Sequence, residues 1–370
     1  MVTTVPGELR VVRYQLPSSL GDYRCMDYGD PYSDRLRELR ERYRLEEVVA
    51  GRSDEMDALL ALKRWVRSRW DHGWCRQFAT VSDGLSILEE AEQGRQFCCG
   101  HYTRLLTDCA TALGWPARPV SLSIADCEAP RDHHIDNVGH SVAEVWCTGL
   151  RKWVVLDADL NVHYRSDGVP QSAMELHDAW LSGQADRVEM IQDEPAFALP
   201  AGEAIENLNR TATQRDCYDE LTLRSMFETF ARHRALDYYA RLSIAGLEWL
   251  DPRCPPTFIR HFAPYGGHRW TSNPADMYWS VNLVGMTLQP AWDDDAQATL
   301  AVSLCHCMPF FGHHQSAIDG GDWRRCEASF AWPLHPGTNR LACRAVNTMG
   351  RPGTIASIEV AYAPAPQYRS

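Results

Sequence analysis

The chain has 370 residues, 45% of them hydrophobic and 23% charged, so it is a well-filled globular protein with more than one ordinary core. Thirty-seven Lys and Arg against 49 Asp and Glu leave a net charge of −12, which repels phosphate backbones and anionic headgroups. Nucleic-acid and membrane-surface partners are therefore not expected, and no apolar run reaches the ~18 residues of a membrane span.

Residues 1 to 32, rich in Pro, Gly and Tyr, predict an irregular lead-in without the basic and apolar stretches of a secretory signal. Helical spacing begins at Asp34–Tyr43, with Leu36, Leu39 and Tyr43 on one face. It resumes at Asp54–Trp70, where Met56, Leu59, Leu60, Leu62, Trp65 and Val66 form an apolar stripe behind a Ser53 cap. Asp83–Ala91 predicts a short helix closed by Gly94, and Cys99–Leu113 a longer one stopped by Gly114. Arg118–Ala125 reads as a strand, 126–139 as a polar loop, and His140–Cys147 with Lys152–Asp157 as a hairpin turning at Thr148-Gly149. Helical patterns return at Ser172–Leu181 and Asp219–Leu242. After a Pro- and Gly-punctuated linker, short strands recur at 280–288, 299–307, 326–332, 339–346 and 355–362. That spacing predicts a small antiparallel sandwich of immunoglobulin-like size.

Three runs carry the chemistry: Phe97-Cys98-Cys99-Gly100-His101-Tyr102, Gly139-His140-Ser141-Val142-Ala143-Glu144-Val145-Trp146 and Trp153-Val154-Val155-Leu156-Asp157. In order they offer a thiol at a helix start, an imidazole on a strand and a carboxylate on the next strand. A helix N-terminus favours the thiolate and lowers the thiol pKa, and its unpaired N–H groups can hold an oxyanion. An imidazole within reach takes the thiol proton, and a carboxylate on its far side fixes the ring. Antiparallel pairing sets His140 and Asp157 side by side. A cysteine at a helix start is by itself more often a small buried hydrophobe, and a strand histidine more often a structural group. The three types together, on compatible elements, favour nucleophilic catalysis by Cys99, His140 and Asp157.

These residues resemble the transglutaminase-like family, within the papain-related superfamily of Cys-His-Asp acyltransferases and peptidases. Cys99 opens a helix that runs through Tyr102 and Leu105-Leu106 to a Gly114-Trp115-Pro116-Ala117-Arg118 turn. The family's His-x-x-x-Glu-Val strand is His140–Val145, and its Trp-Val-x-x-Asp strand is Trp153–Asp157. The register requires Cys99, not Cys98, as the nucleophile. The resemblance covers about sixty residues strongly and implies an α+β fold and thioester chemistry without fixing a substrate; the expected one is a peptide, protein or small amide, with an amine or water as acceptor. It implies no cofactor and no metal for the reaction itself. Two departures stand out: Phe97 where a small residue is usual, and Ala158 where a proline is usual, which leaves Asp159 as a rival to Asp157. A tryptophan upstream of the nucleophile assists the oxyanion in cross-linking relatives, and Trp70 and Trp74 are the candidates, core packing being the alternative for each.

The expected layout is an α+β chain with a transglutaminase-like catalytic domain at 1–190, a helical extension and linker at 191–274, and a C-terminal immunoglobulin-like β-sandwich at 275–370. The other function class is an inactive scaffold whose sandwich binds protein or carbohydrate. Thirteen cysteines, odd in number and including a doublet, fit free thiols in a reducing, cytoplasmic setting better than a disulfide framework. Cys305, Cys307 and His313 have soft-metal ligand chemistry, but Cys305 and Cys307 fit one face of a strand with His306 on the other. The His133-His134-x-Asp136 loop is a candidate cleft lining, though an exposed loop face explains it as well. Trp180, Trp249, Trp270, Trp279 and Trp292 offer an aromatic platform, or core filler.

Overall fold

The lead-in is irregular only in part. Gly7–Gln15 forms strand β1, paired antiparallel with the last described strand from Gly7↔Pro364 to Gln15↔Ser357. One compact unit therefore joins both ends of the chain, Met1–Cys25 with Trp279–Ser370, and the other is Met26–Tyr278. The computed structural model describes residues 7–20, 27–73, 83–124, 138–196, 235–238, 247–251, 269–292 and 298–365.

In the Met26–Tyr278 unit the predicted helices form with small shifts at their ends, α1 (Asp34–Arg42), α3 (Glu55–Arg67), α4 (Gly84–Ala91) and α5 (Cys99–Ala112), and a short α2 (Leu45–Val49) stands where no helix is predicted. Asp54 rather than Ser53 caps α3, its carboxylate accepting from the Asp57 N–H, and Asp83 caps α4 by accepting from Ser86. Gly114 takes a φ of +82° just past α5, a left-handed turn where a side chain would be strained. The stripes meet in one core: Leu59, Leu62, Val66, Leu85, Leu88, Leu105 and Leu106 pack on Ala143, Val145, Val154 and Leu156.

Those last four residues belong to a sheet whose centre is β2 (Ala117–Ile124), β3 (Val138–Cys147) and β4 (Lys152–Asp157). The predicted hairpin is present, in the register Ala143↔Leu156 through Cys147↔Lys152. Beyond it lie β5 (Val162–Ser166) and β6 (Val169–Pro170). Helix α6 (Ala173–Leu181) follows, begun by a capping box between Ser172 and Glu175. Strand β7 (Val188–Gln192) pairs with β5. A second core holds Val120, Leu122, Val142, Val155, Leu176 and Trp249.

The predicted helix Asp219–Leu242 does not hold where it is described. Ala235–Tyr238 is a strand, β8, paired with β2 from Val120↔Tyr238 to Ser123↔Ala235. The open edge of β2 offers a row of unpaired N–H and C=O groups, and pairing them outweighs local helical preference. The remainder of 219–242 lies outside the described residues. Strands β9 (Leu247–Leu250) and β10 (Arg269–Thr271) extend the sheet to nine strands.

A buried cation fastens the loop after β4. Lys63 on α3 is fully buried, donates to the Asn161 carbonyl at 2.8 Å and pairs with Asp193 at 2.8 Å. Burial lowers its pKa to about 8 against the upward pull of Asp193 and Asp157, with Arg64 pushing further down. His163 and Arg64 also face Asp193. A lysine that holds its proton less tightly folded than unfolded adds stability as pH rises between the two values, because the unfolded chain then binds more protons. Between pH 7.5 and 10 the protein is expected to gain about 2 kcal/mol relative to Lys63→Met. Urea midpoints of both chains at the two pH values measure this, and parallel changes would remove Lys63 as the source.

The other unit is a β-sandwich. One sheet holds β11 (Val284–Trp292), β12 (Ala298–His306) and, after β13 (Phe311–Ile318) and β14 (Arg324–Cys326), β15 (Ser329–Pro333). The other runs β1, β17 (Ala356–Pro364), β16 (Gly337–Asn347), β13, β14. Val302, Leu304 and Trp332 from the first sheet and Leu341, Cys343, Ile358 and Val360 from the second share one core. Strand β13 has no counterpart among the predicted strands. Cys305 is exposed and Cys307 buried, its thiol donating to the Ser280 carbonyl, so the two do not share a face as predicted. The reason is that β12 ends at His306, and alternation stops there. Among the described residues no helix is long and apolar enough to cross a membrane.

Candidate active site

Helix α5 begins on Cys98 in extended conformation, with no side-chain cap hydrogen bond. Ordinarily a Ser, Thr, Asp or Asn oxygen would quench the first-turn N–H groups there. Two aromatic anchors hold this entry in place. Trp70 donates Nε1–H to the Phe97 carbonyl at 3.2 Å and stacks on Tyr102 with ring centroids 4.3 Å apart. Gly73 N–H donates to the same carbonyl at 3.1 Å. Trp70 is thus a packing residue with its N–H already used, and Trp74 lies outside the described residues. Phe97 is fully buried between Trp70 and His101, so it supports the helix start from within the core.

The adjacent cysteines differ in surroundings. Cys98 is buried, with Sγ 3.7 Å from Nδ1 of His101, whose pKa burial lowers to about 4. That ring is a poor proton acceptor near neutrality. Cys99 is partly exposed and faces His140. The predicted lowering of the Cys99 pKa is not what the surroundings produce. A hydrogen bond with Cys98 and burial push the Cys99 thiol well up, while His140 pulls it down. The same bond draws Cys98 down against its own burial. One proton between two sulfurs accounts for both directions. The macrodipole is outweighed by these contacts, so Cys99 ionises by handing its proton to a base.

That base is at hand. His140 sits on β3 beyond the last ladder pair with β4, Ala143↔Leu156, and its Nε2 lies 2.7 Å from Oδ2 of Asp157. Burial lowers its pKa, but Asp157 and Cys99 overcome this and hold the imidazole well above its ordinary value. Cys99 Sγ lies within 4.8 Å of a ring nitrogen of His140. Asp157 is fully buried, and its Oδ1 accepts from Leu160 N–H at 3.0 Å, which fixes the carboxylate. The two residues do not stand directly opposite, as the hairpin pattern predicts. Both reach past the end of the ladder and meet there.

Asp159 is turned elsewhere, its Oδ1 lying 2.7 Å from Nδ1 of His72. Both residues are buried. The choice between Asp157 and Asp159 as partner of His140 is thereby made by geometry. His72 is the member of this neighbourhood that sequence reasoning missed; no spacing links it to Asp159, 87 residues away. Even so, a carboxylate oxygen of Asp159, a ring nitrogen of His140 and Cys99 Sγ all lie within 4.8 Å of one another.

Residues 42–158 match the family model of the transglutaminase-like superfamily. This chain carries a transglutaminase-like core. The match ends one residue past Asp157 and spans α3, α4, α5 and the β2–β3–β4 sheet described above. Among solved structures, the chain is similar to a putative cysteine protease from Cytophaga hutchinsonii, at 13% identity and a TM-score of 0.26, covering 47% of this chain and 59% of that one. It is also similar to the red sea bream transglutaminase, at 12% identity and a TM-score of 0.27, covering 98% of this chain and 78% of that one. Curated proteins give no match.

The other candidates fall away from this core. Trp249 is buried edge-on to His177 at 5.1 Å in the second core, and Trp180 packs against the same cluster. Trp279 lies in the sandwich unit, and the Trp270 and Trp292 side chains lie outside the described residues. The His133-His134-x-Asp136 loop also falls outside them.

Proposed function

We propose that the transglutaminase-like core acts through a cysteine thioester, transferring or hydrolysing the acyl group of an amide, glutamine-like or peptide. The observation that supports it best is the convergence of Cys99, His140 and Asp157 at the uncapped start of α5, with His140 bonded to Asp157 at 2.7 Å. His140 takes the Cys99 proton as Sγ attacks the amide carbonyl carbon. First-turn N–H groups of α5, lacking a capping oxygen, supply donors for the oxyanion. Collapse of the tetrahedral intermediate breaks the C–N bond, and the imidazolium returns its proton to the departing amine. A second amine, or water, then attacks the thioester. His140 takes its proton and returns it to the Cys99 sulfur. Asp157 holds the ring in one orientation throughout and stabilises its charged form.

A glutamine-containing peptide carrying an electrophilic amide is expected to add one probe mass per chain, mapped by peptide mass spectrometry to Cys99. Stoichiometric, non-covalent retention of the same peptide, with every thiol unmodified, would instead favour a binding scaffold.

A further inference from the structure

Of the groups that converge at Cys99, Asp159 is the one to which the acyl-transfer steps give no task. A carboxylate oxygen of Asp159, Cys99 Sγ and a ring nitrogen of His140 all lie within 4.8 Å of one another. We propose that Asp159 is a further catalytic residue, specific to the second half of the reaction, which receives the acceptor that attacks the thioester. The inference rests on the acyl-transfer reading and deepens it.

The chemistry of the acceptor supplies the reason. The attacking atom of a water or of a primary amine carries two hydrogens. His140 takes one, and the other stays on the attacking atom, where it needs a hydrogen-bond acceptor. A nucleophile poised on the thioester carbon stands about 3–3.5 Å from it, and a hydrogen bond from there spans about 2.6–3.2 Å. That carbon is bonded to Sγ, so a carboxylate oxygen within 4.8 Å of Sγ is in reach of the nucleophile.

Charge points to the same step. While Cys99 ionises and attacks, a carboxylate beside the sulfur is a hindrance, because like charges raise the cost of a thiolate. The same charge works against ionisation of the neighbouring Cys98. Once acylated, the sulfur carries no charge, and the incoming acceptor gains positive character as it attacks, which a fixed anion stabilises. The carboxylate is also held in one direction. Its Oδ1 lies 2.7 Å from Nδ1 of His72, and both residues are buried. A bond from behind locks such a group, and a carboxylate has acceptor sites to spare for a second donor. Cys99 is partly exposed, which gives the acceptor a side from which to enter.

In the step itself the acceptor's lone pair forms the new C–N or C–O bond, and one of its protons passes to His140. The other stays on the attacking atom and is donated to Asp159, which gains no proton. Collapse breaks the C–S bond, and His140 returns its proton to the sulfur.

A p-nitrophenyl ester of a glutamine-like acyl group separates the two halves in the full chain. The first burst of p-nitrophenolate reads acylation of Cys99, and the steady rate after it reads attack by the acceptor. Asp159→Asn is expected to keep the burst rate within about threefold and to slow the steady rate about tenfold or more, with water and with an added primary amine alike. The burst amplitude counts folded sites, so a misfolded fraction lowers the amplitude and neither rate. His72→Gln removes the ring behind the carboxylate and is expected to slow the same phase by a smaller factor. Equal loss in both rates, or an unchanged steady rate in Asp159→Asn, overturns the proposal and leaves the chemistry of Cys99 standing. Should Asp159→Asn fail to fold, an unchanged steady rate in His72→Gln overturns it instead. A wild-type chain with no burst removes the acyl-transfer reading, and this inference with it.

Discussion

Replacing Cys99 by alanine is expected to abolish amide turnover, whereas Cys98→Ala keeps most of it. The two sulfurs are neighbours in sequence and share a hydrogen bond, so chemistry alone does not separate them. Their surroundings do. Cys98 is buried against a histidine whose basicity burial lowers, while Cys99 is partly open and faces an imidazole whose basicity Asp157 raises. A thiol becomes a nucleophile only where a base can take its proton and a carbonyl can approach. The carboxylate behind the base matters nearly as much. Asp157→Asn keeps the shape but removes the charge that fixes the ring, and is expected to lower kcat by on the order of 10³–10⁴-fold. Steady-state rates with an amide substrate check all three, and full activity in Cys99→Ala would sink the assignment.

Glu144→Gln is expected to cost about 3–5 kcal/mol of stability, because it leaves a buried guanidinium without its counter-charge. Arg118 on β2 and Glu144 on β3 are 1% and 0% exposed. Oε2 of Glu144 accepts from Arg118 at 2.7 and 3.0 Å, and Oε1 accepts from the Ala173 N–H at 2.9 Å and the Tyr278 hydroxyl at 2.8 Å. The guanidinium also donates to the Met277 carbonyl and lies 4.0 Å over the Trp153 ring. One carboxylate thus joins two strands, the start of α6 and the end of the unit. A double change, Arg118→Met with Glu144→Leu, is expected to cost less than Glu144→Gln alone, since no unpaired charge remains. Urea midpoints of the three chains read both effects. A cost below about 1 kcal/mol for Glu144→Gln would place the network's worth with its neutral contacts instead.

Much of the candidate site is legible in the sequence. The helix opening on Cys99 is written in Tyr102, Leu105, Leu106 and Cys109 at helical spacing, with Gly114 as its stop. The hairpin is written in the alternation of 140–147 and 152–157. Both are local signals, set by side-chain period and turn chemistry within a dozen residues. Where local preference met a long-range partner, the partner prevailed. Gly7–Gln15 is a strand because the edge of β17 pairs with it, and Ala235–Tyr238 is a strand because β2 offers an open edge. Neither partner is within a hundred residues of its strand, and period-based reading has no access to it. The Cys99 pKa failed for a related reason: the macrodipole is a local feature, but burial and the Cys98 thiol are products of packing.

By itself, the order of side chains determined which groups the candidate site offers: a thiol at a helix start, a strand imidazole and a carboxylate on the following strand. Tertiary structure alone decided how they are paired. Asp157 turns to His140 and Asp159 to His72, two carboxylates two residues apart sent to different histidines. Such a choice depends on where α3, the 70–73 segment and the loop after β4 are held by Lys63, Trp70 and the surrounding core. Hydrogen bonds over 2.7 Å are decided by packing to a fraction of an ångström, and no pattern along a single chain encodes distance at that scale.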